Sequence, residues 1–184
     1  LTLKEIKMRR SEFLKLTELS VDNLKNLKRR NALPFDNADD SESDGNTGGY
    51  FERDAFSTLL TLELSKTGTD QNEAASNVAL GLSGMLKRFG RDLAEKKDYI
   101  WFGLVKAEQP QADGSVAIFT FPAAGPIHDL VYFRDGPRAI EHRLAETQHV
   151  MTHISLVHAA KLLHSMKERA RLNGIEIDLG WLSR

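Results

Sequence analysis

Ser20-Val21-Asp22-Asn23-Leu24-Lys25-Asn26-Leu27-Lys28-Arg29-Arg30-Asn31-Ala32-Leu33-Pro34 is the stretch on which the reading of this chain turns. Ser20 has the side chain of a helix N-cap, and Val21, Leu24 and Leu27 recur every three positions behind it. That spacing predicts a short helix with one apolar stripe. Asn31 tolerates the left-handed conformation at a helix end, and Pro34 blocks continuation. The other positions hold Asn23, Lys25, Asn26, Lys28, Arg29 and Arg30. Such a face suits a DNA groove, because Lys and Arg attract phosphate and Asn can read base edges.

Upstream, Glu12 to Leu19 predicts a second short helix with Phe13, Leu16 and Leu19 facing inward. The turn at Leu19-Ser20 is tight, so the pair forms a helix-turn-helix candidate. Charge follows the same division. Residues 1–35 hold nine Lys or Arg against four acids, about +5 by that count. Residues 36–54 hold seven acids against Arg53, about −6. The whole chain of 184 residues carries only −1, which hides a basic head followed by an acidic loop.

Downstream, Asp54 to Leu64 has helical spacing through Phe56, Leu59 and Leu60, and Gly68 ends it. Thr69 or Asp70 then caps a longer helix to about Phe89, carrying Ala74, Val78, Leu82, Met85 and Leu86. After Asp98 the pattern changes to aromatic and β-branched residues. Tyr99 to Val105 and Ser115 to Phe121 predict strands, and Pro110 to Gly114 between them is turn chemistry, so the two form a hairpin. Leu130 to Phe133 reads as a third short strand. His149 to Leu156 fits either a strand or a helix. Ser155 reads as the cap of a helix over Leu156 to Leu172, closed by Asn173-Gly174, and Ile175 with Ile177 as a final strand. The expected organisation is a helical unit over 1–97 and a mixed unit over 98–184.

The N-terminal part resembles the MerR-type winged-helix DNA-binding domain. The family pattern Thr-Leu-Arg-Tyr-Tyr-Glu-Arg-x-Gly-Leu-Leu-Pro aligns with Asn23 to Pro34, and Leu24, Arg29, Leu33 and Pro34 match outright. Lys25 keeps the charge of the family's arginine, and Asn31 stands where glycine normally sits. The family's wing ends in Arg-x-Tyr-x-x-x-Asp, and here Tyr50 and Asp54 supply the tyrosine and the acid. Gly48 replaces the wing arginine, and Arg53 is the substitute. The resemblance covers roughly residues 11–85. It implies a winged-helix head, and with the hairpin and helix predicted after Asp98 the expected fold is α+β, with a small C-terminal region for effector binding or dimerisation. It also implies a homodimer on double-stranded DNA that tunes transcription by distorting the promoter.

The residues assigned to DNA follow from both lines. Lys15, Thr17 and Ser20 flank the groove and touch phosphate. Asn23, Lys25, Asn26 and Arg29 reach in or grip the backbone, and Lys28, Arg30 and Arg53 add charge. No cofactor and no metal is expected: cysteine is absent, which excludes disulfides and thiolate ligands and fits a reducing cytoplasm. His149 and His153 have metal-binding spacing only on a helix, and no acid completes a hydrolytic zinc motif. No phosphate-loop or nucleophile-elbow pattern points to an enzyme. No long apolar run or signal-peptide pattern points to a membrane or to export, so the expected location is cytoplasmic. Two alternatives stay open: a protein-interaction module using the same helix pair, and a small-molecule-binding protein using the C-terminal half, where Tyr99, Trp101, Phe102, Phe119 and Phe121 could line a pocket.

Overall fold

In the computed structural model, which describes residues 7–36, 49–131 and 148–183, Ser20 caps a helix as its side chain predicts. Its Oγ accepts the Asn23 backbone N–H at 3.1 Å. That helix, α2 (Val21–Arg29), follows α1 (Arg10–Thr17) after a short turn in which Glu18 takes a left-handed φ of 56°. Asn31, at φ 54°, closes α2. The next amide, Ala32 N, then reaches back to the Leu27 carbonyl at 2.9 Å, which satisfies a carbonyl the helix end would otherwise orphan. An isolated antiparallel bridge joins Met8, before α1, to Tyr50.

The helices α3 (Glu52–Lys66) and α4 (Gln71–Ala94) pack against each other across a turn at Gly68, whose φ of 91° suits glycine. Asp70 caps α4 as expected, its Oδ1 accepting Asn72 N and Glu73 N at 2.9 and 3.1 Å. The hairpin is also present. Strand β1 (Trp101–Pro110) pairs with β2 (Val116–Gly125) from Trp101↔Gly125 to Pro110↔Val116. In its turn, Asp113 accepts Ser115 N at 2.9 Å and the Ser115 hydroxyl at 2.6 Å. The Asp113 carboxyl is therefore held below its ordinary pKa, first by the hydroxyl and then by the backbone amide.

Several expectations in the C-terminal half are corrected. Leu130 lies in a single helical turn, α5 (Ile127–Leu130), not in a strand, while Phe133 lies outside the described residues. The ambiguous histidine stretch is strand β3 (Val150–Val157), antiparallel to β1 on the side away from β2. The period-two alternation prevails because β1 offers a free edge. Ser155 is then a buried strand residue, its hydroxyl 3.2 Å from that of Thr69. His158 caps α6 (Ala159–Leu172) instead, accepting Lys161 N at 2.9 Å. Ile175 and Ile177 form no strand. Gly174 takes a φ of 62°, and Ile175 N folds back to the Ala170 carbonyl at 2.9 Å. The chain then makes a 3-10 turn over Leu179–Ser183.

The sheet order is β2-β1-β3. Phe102 and Leu104 join a hydrophobic core built from α1, α2, α3, α4, α6 and the final turn. Val105 and Leu130 form a smaller cluster with Trp101, Phe121, Ile154 and Leu156. The expected boundary near residue 97 therefore marks a change of element type and not a change of core, since Phe13, Leu60, Met85, Phe102, Met166 and Trp181 share one cluster. The architecture is α+β, mixed helix with a three-stranded antiparallel sheet. Among the described residues no helix is long and apolar enough to cross a membrane.

Candidate functional site

The helix pair positions its side chains through a few buried anchors. On α1, Phe13 and Leu16 are fully buried; on α2, Leu24 and Leu27 are buried. Phe13 stacks on Tyr50 with ring centroids 4.2 Å apart, and Phe35 meets both rings edge-on at 6.2 and 6.3 Å. Burial of a leucine or phenylalanine stabilises by roughly 1.5–3 kcal/mol, and on α2 that contribution comes from Leu24 and Leu27. Val21, the first residue of the expected stripe, is 44% exposed, so the apolar seam of α2 narrows to Leu24 and Leu27.

The opposite side of α2 is open. Asn23, Lys25, Asn26, Arg29 and Arg30 are all exposed. Arg29 Nη2 donates to Asn26 Oδ1 at 3.2 Å, which leaves the Asn26 amide nitrogen pointing its donors elsewhere. Lys28 is half-buried, with its ammonium 5.5 Å from the centroid of the Tyr50 ring. The contact is a cation–π geometry and makes Lys28 a link between α2 and the bridge at Tyr50. Lys15 and Ser20 are exposed beside the turn. The Ser20 oxygen accepts in the cap and still carries a proton to donate.

Thr17 requires a correction. It is 3% exposed, and its hydroxyl donates to the Phe13 carbonyl at 2.8 Å. It is a core residue of α1 with a satisfied hydroxyl and cannot reach phosphate. Its polarity suggested a surface position, but threonine buries readily where it can bond back one helical turn. Arg53 is exposed in the first turn of α3. It lines a cavity of about 500 Å³ with Asp36, Phe51 and Ser83, on a different element from the α2 group. Residues 37–48 of the acidic segment, Gly48 among them, fall outside the described residues, and its last two acids, Glu52 and Asp54, belong to α3.

Sequence reasoning missed the residues that brace the helix pair from far along the chain. Arg169 on α6 donates from Nη1 to the Leu16 carbonyl at 2.9 Å and from Nη2 to Glu18 Oε2 at 2.6 Å. Both acceptors lie at the turn between α1 and α2. No local signal marks Arg169, because its partners are more than a hundred residues away in sequence. Arg9 and Arg10 are a second omission: both are exposed at the start of α1 and add positive charge to the same unit.

The helical spacing that would bring the histidine pair to one face is not adopted. His153 sits within β3 and His149 just before it, so they share no helical face; His149 packs edge-on against Phe119 at 5.2 Å. Among the described residues no group of histidine and acid side chains could hold a metal ion. The aromatic residues of the hairpin divide between the sheet's two faces: Phe102 is in the main core, while Trp101 and Phe121 pack on the Val105 cluster. No known protein family and no curated protein sequence matches this chain.

Proposed function

We propose that the chain is a DNA-binding transcription regulator of the MerR-like winged helix-turn-helix kind, with α2 delivered to the major groove. The observation that carries this is the exposed set Asn23, Lys25, Asn26, Arg29 and Arg30 on a helix whose other side is fixed by Leu24 and Leu27. A groove-reading helix must present its side chains in one orientation, because base-edge hydrogen bonds tolerate little displacement. The Ser20 cap, the Asn31 turn and the Lys28–Tyr50 contact supply that constraint. The bridge at Tyr50, where the family's wing would return, supports the same reading. Under it, Lys15 and Ser20 contact phosphate, Asn23 and Asn26 face base edges, and two heads on a cytoplasmic homodimer meet an inverted repeat.

The test is a mobility-shift titration on random-sequence duplex at low and moderate salt. Binding should weaken steeply with salt. The Lys25→Ala/Arg29→Ala double variant should flatten the slope by about two units, since each lost phosphate contact removes roughly 0.9. A chain that ignores duplex even in dilute buffer is no DNA-binding protein, and the protein-interaction alternative then stands. A sizing column reports whether the proposed dimer forms.

A further inference from the structure

A cavity of about 330 Å³ opens between the C-terminal end of α4 and the side of α6. Its floor is apolar, with Leu93 and Leu163 both fully buried. Lys96, Lys161 and Lys167 line it, with His164 beside them. One carboxylate, Asp98, is also present. Among the described residues none of the three ammonium groups has an ion-pair partner, whereas neighbouring Lys97 is bonded to Asp92 at 2.7 Å and lies 3.2 Å from Glu95. His158 is committed elsewhere: its Nδ1 accepts Lys161 N, and its ring meets Trp101 edge-on at 4.6 Å.

Lys96 is held at a cost. It has a φ of 61° at the end of α4, where the Lys97 amide folds back to the Asp92 carbonyl at 2.9 Å. Glycine is the usual residue there, because a Cβ in the left-handed conformation is strained. Lys167 is held at a cost as well. Burial, and then the charge of Lys96, push its ammonium below the ordinary lysine pKa. Three lysines lining one cavity over an apolar floor, without a carboxylate for each, leave room for an anion that would offset the repulsion between Lys96 and Lys167.

We propose that this cavity binds a small organic anion, with a carboxylate, phosphate or sulfonate head between Lys96, Lys161 and Lys167 and an apolar body over Leu93 and Leu163. The volume suits a compact ligand, and ammonium-to-oxyanion hydrogen bonds are the strong, charge-assisted kind. The site does not depend on whether α2 meets DNA. It would give the C-terminal half a ligand of its own. Because α6 also carries Arg169, the site and the brace of the helix pair lie on one rigid element.

The experiment uses the full chain with anilinonaphthalene sulfonate as the anionic probe and phenylnaphthylamine as its uncharged counterpart, followed by fluorescence and calorimetric titration. The sulfonate should bind the native chain, perturb the methyl resonances of Leu93 and Leu163, and lose about tenfold or more in affinity in Lys161→Gln/Lys167→Gln. Lys96→Gly is the discriminating variant. It should melt at or above the native temperature, since strain is removed, and still bind the sulfonate more weakly. The uncharged probe should bind all three proteins alike. Equal sulfonate affinity in native and variant chains overturns the proposal. So does displacement of the probe by duplex DNA together with loss of duplex affinity in the lysine variants, which would make the cavity wall part of a nucleic-acid surface.

Discussion

Arg169 and Glu18 form an ion pair at 2.6 Å that ties α6 to the turn between α1 and α2. The arginine is the more buried partner, and its second nitrogen holds the Leu16 carbonyl at 2.9 Å. Exposed ion pairs contribute about 0–1 kcal/mol, whereas leaving a partly buried carbonyl unsatisfied costs about 1–3 kcal/mol. Arg169→Ala should therefore destabilise the chain by about 1–2 kcal/mol and Glu18→Ala by less than about 1 kcal/mol. Urea denaturation of both variants and the double variant checks this. If Glu18→Ala costs as much as Arg169→Ala, the carbonyl bond is not the main contribution.

Glu52 fastens the C-terminal turn to the start of α3. It is 4% exposed and accepts Asp178 N at 2.5 Å and the Trp181 indole N–H at 3.0 Å. Glu52→Ala leaves both donors without this acceptor and should cost about 2–4 kcal/mol. Glu52→Gln keeps one acceptor oxygen and should cost less. Tryptophan fluorescence follows the outcome directly, with a red shift expected in the alanine variant as Trp181 loosens. An unshifted spectrum at full native stability would show that the turn is held by apolar packing alone.

Gly90 on α4 lies against the backbone of the C-terminal turn. A Cβ built there would lie 1.6 Å from the Leu182 carbonyl oxygen, so alanine fits only if the C-terminal turn moves. Gly90→Ala should cost about 3 kcal/mol despite the better helix propensity of alanine. Gly84, on the same helix, has nothing within 4 Å of such a Cβ, and Gly84→Ala should stabilise by roughly 0.5–1 kcal/mol. Thermal melts of the two variants should move in opposite directions.

Thr17→Val tests the corrected assignment at α1. The hydroxyl is buried and bonded to Phe13, so the variant should lose about 1 kcal/mol of stability. Under the proposed DNA reading, its duplex affinity, measured well below its melting temperature, should equal that of the native chain. Selective loss of duplex affinity with unchanged stability would return Thr17 to the proposed interface.

The end of α4 has a defined pH response. Asp92 accepts from Lys97 and from the Tyr99 hydroxyl, each at 2.7 Å, and these bonds hold its carboxyl below the ordinary 3.8. A carboxylate with a lowered folded-state pKa contributes stability that is present above its unfolded value and lost as pH falls through the lowered one. The contribution is small because the cluster is exposed. Carboxyl-carbon NMR should place the Asp92 midpoint below the ordinary aspartate value. Tyr99→Phe should move that midpoint back up, and an unchanged midpoint would mean the phenol bond does not form in solution.

Local chemistry makes much of this molecule legible in its sequence. Ser20, Asn31, Asp70 and the turn through Asp113 act within a few residues of themselves, so their caps and turns can be read directly from the sequence. The stripe Leu24–Leu27 likewise settled which side of α2 is apolar and left Lys25, Asn26 and Arg29 on the other. Tertiary structure alone decided the rest. Thr17 is buried, Ser155 belongs to a strand, and the halves on either side of residue 97 share one core, because those outcomes depend on what packs against each residue. The Arg169–Glu18 pair spans 151 residues, and the lysine cavity joins the end of α4 to α6. Helical and strand periods record which face is apolar; they carry no information about which distant element covers that face, and the site chemistry of the C-terminal half arises from that choice.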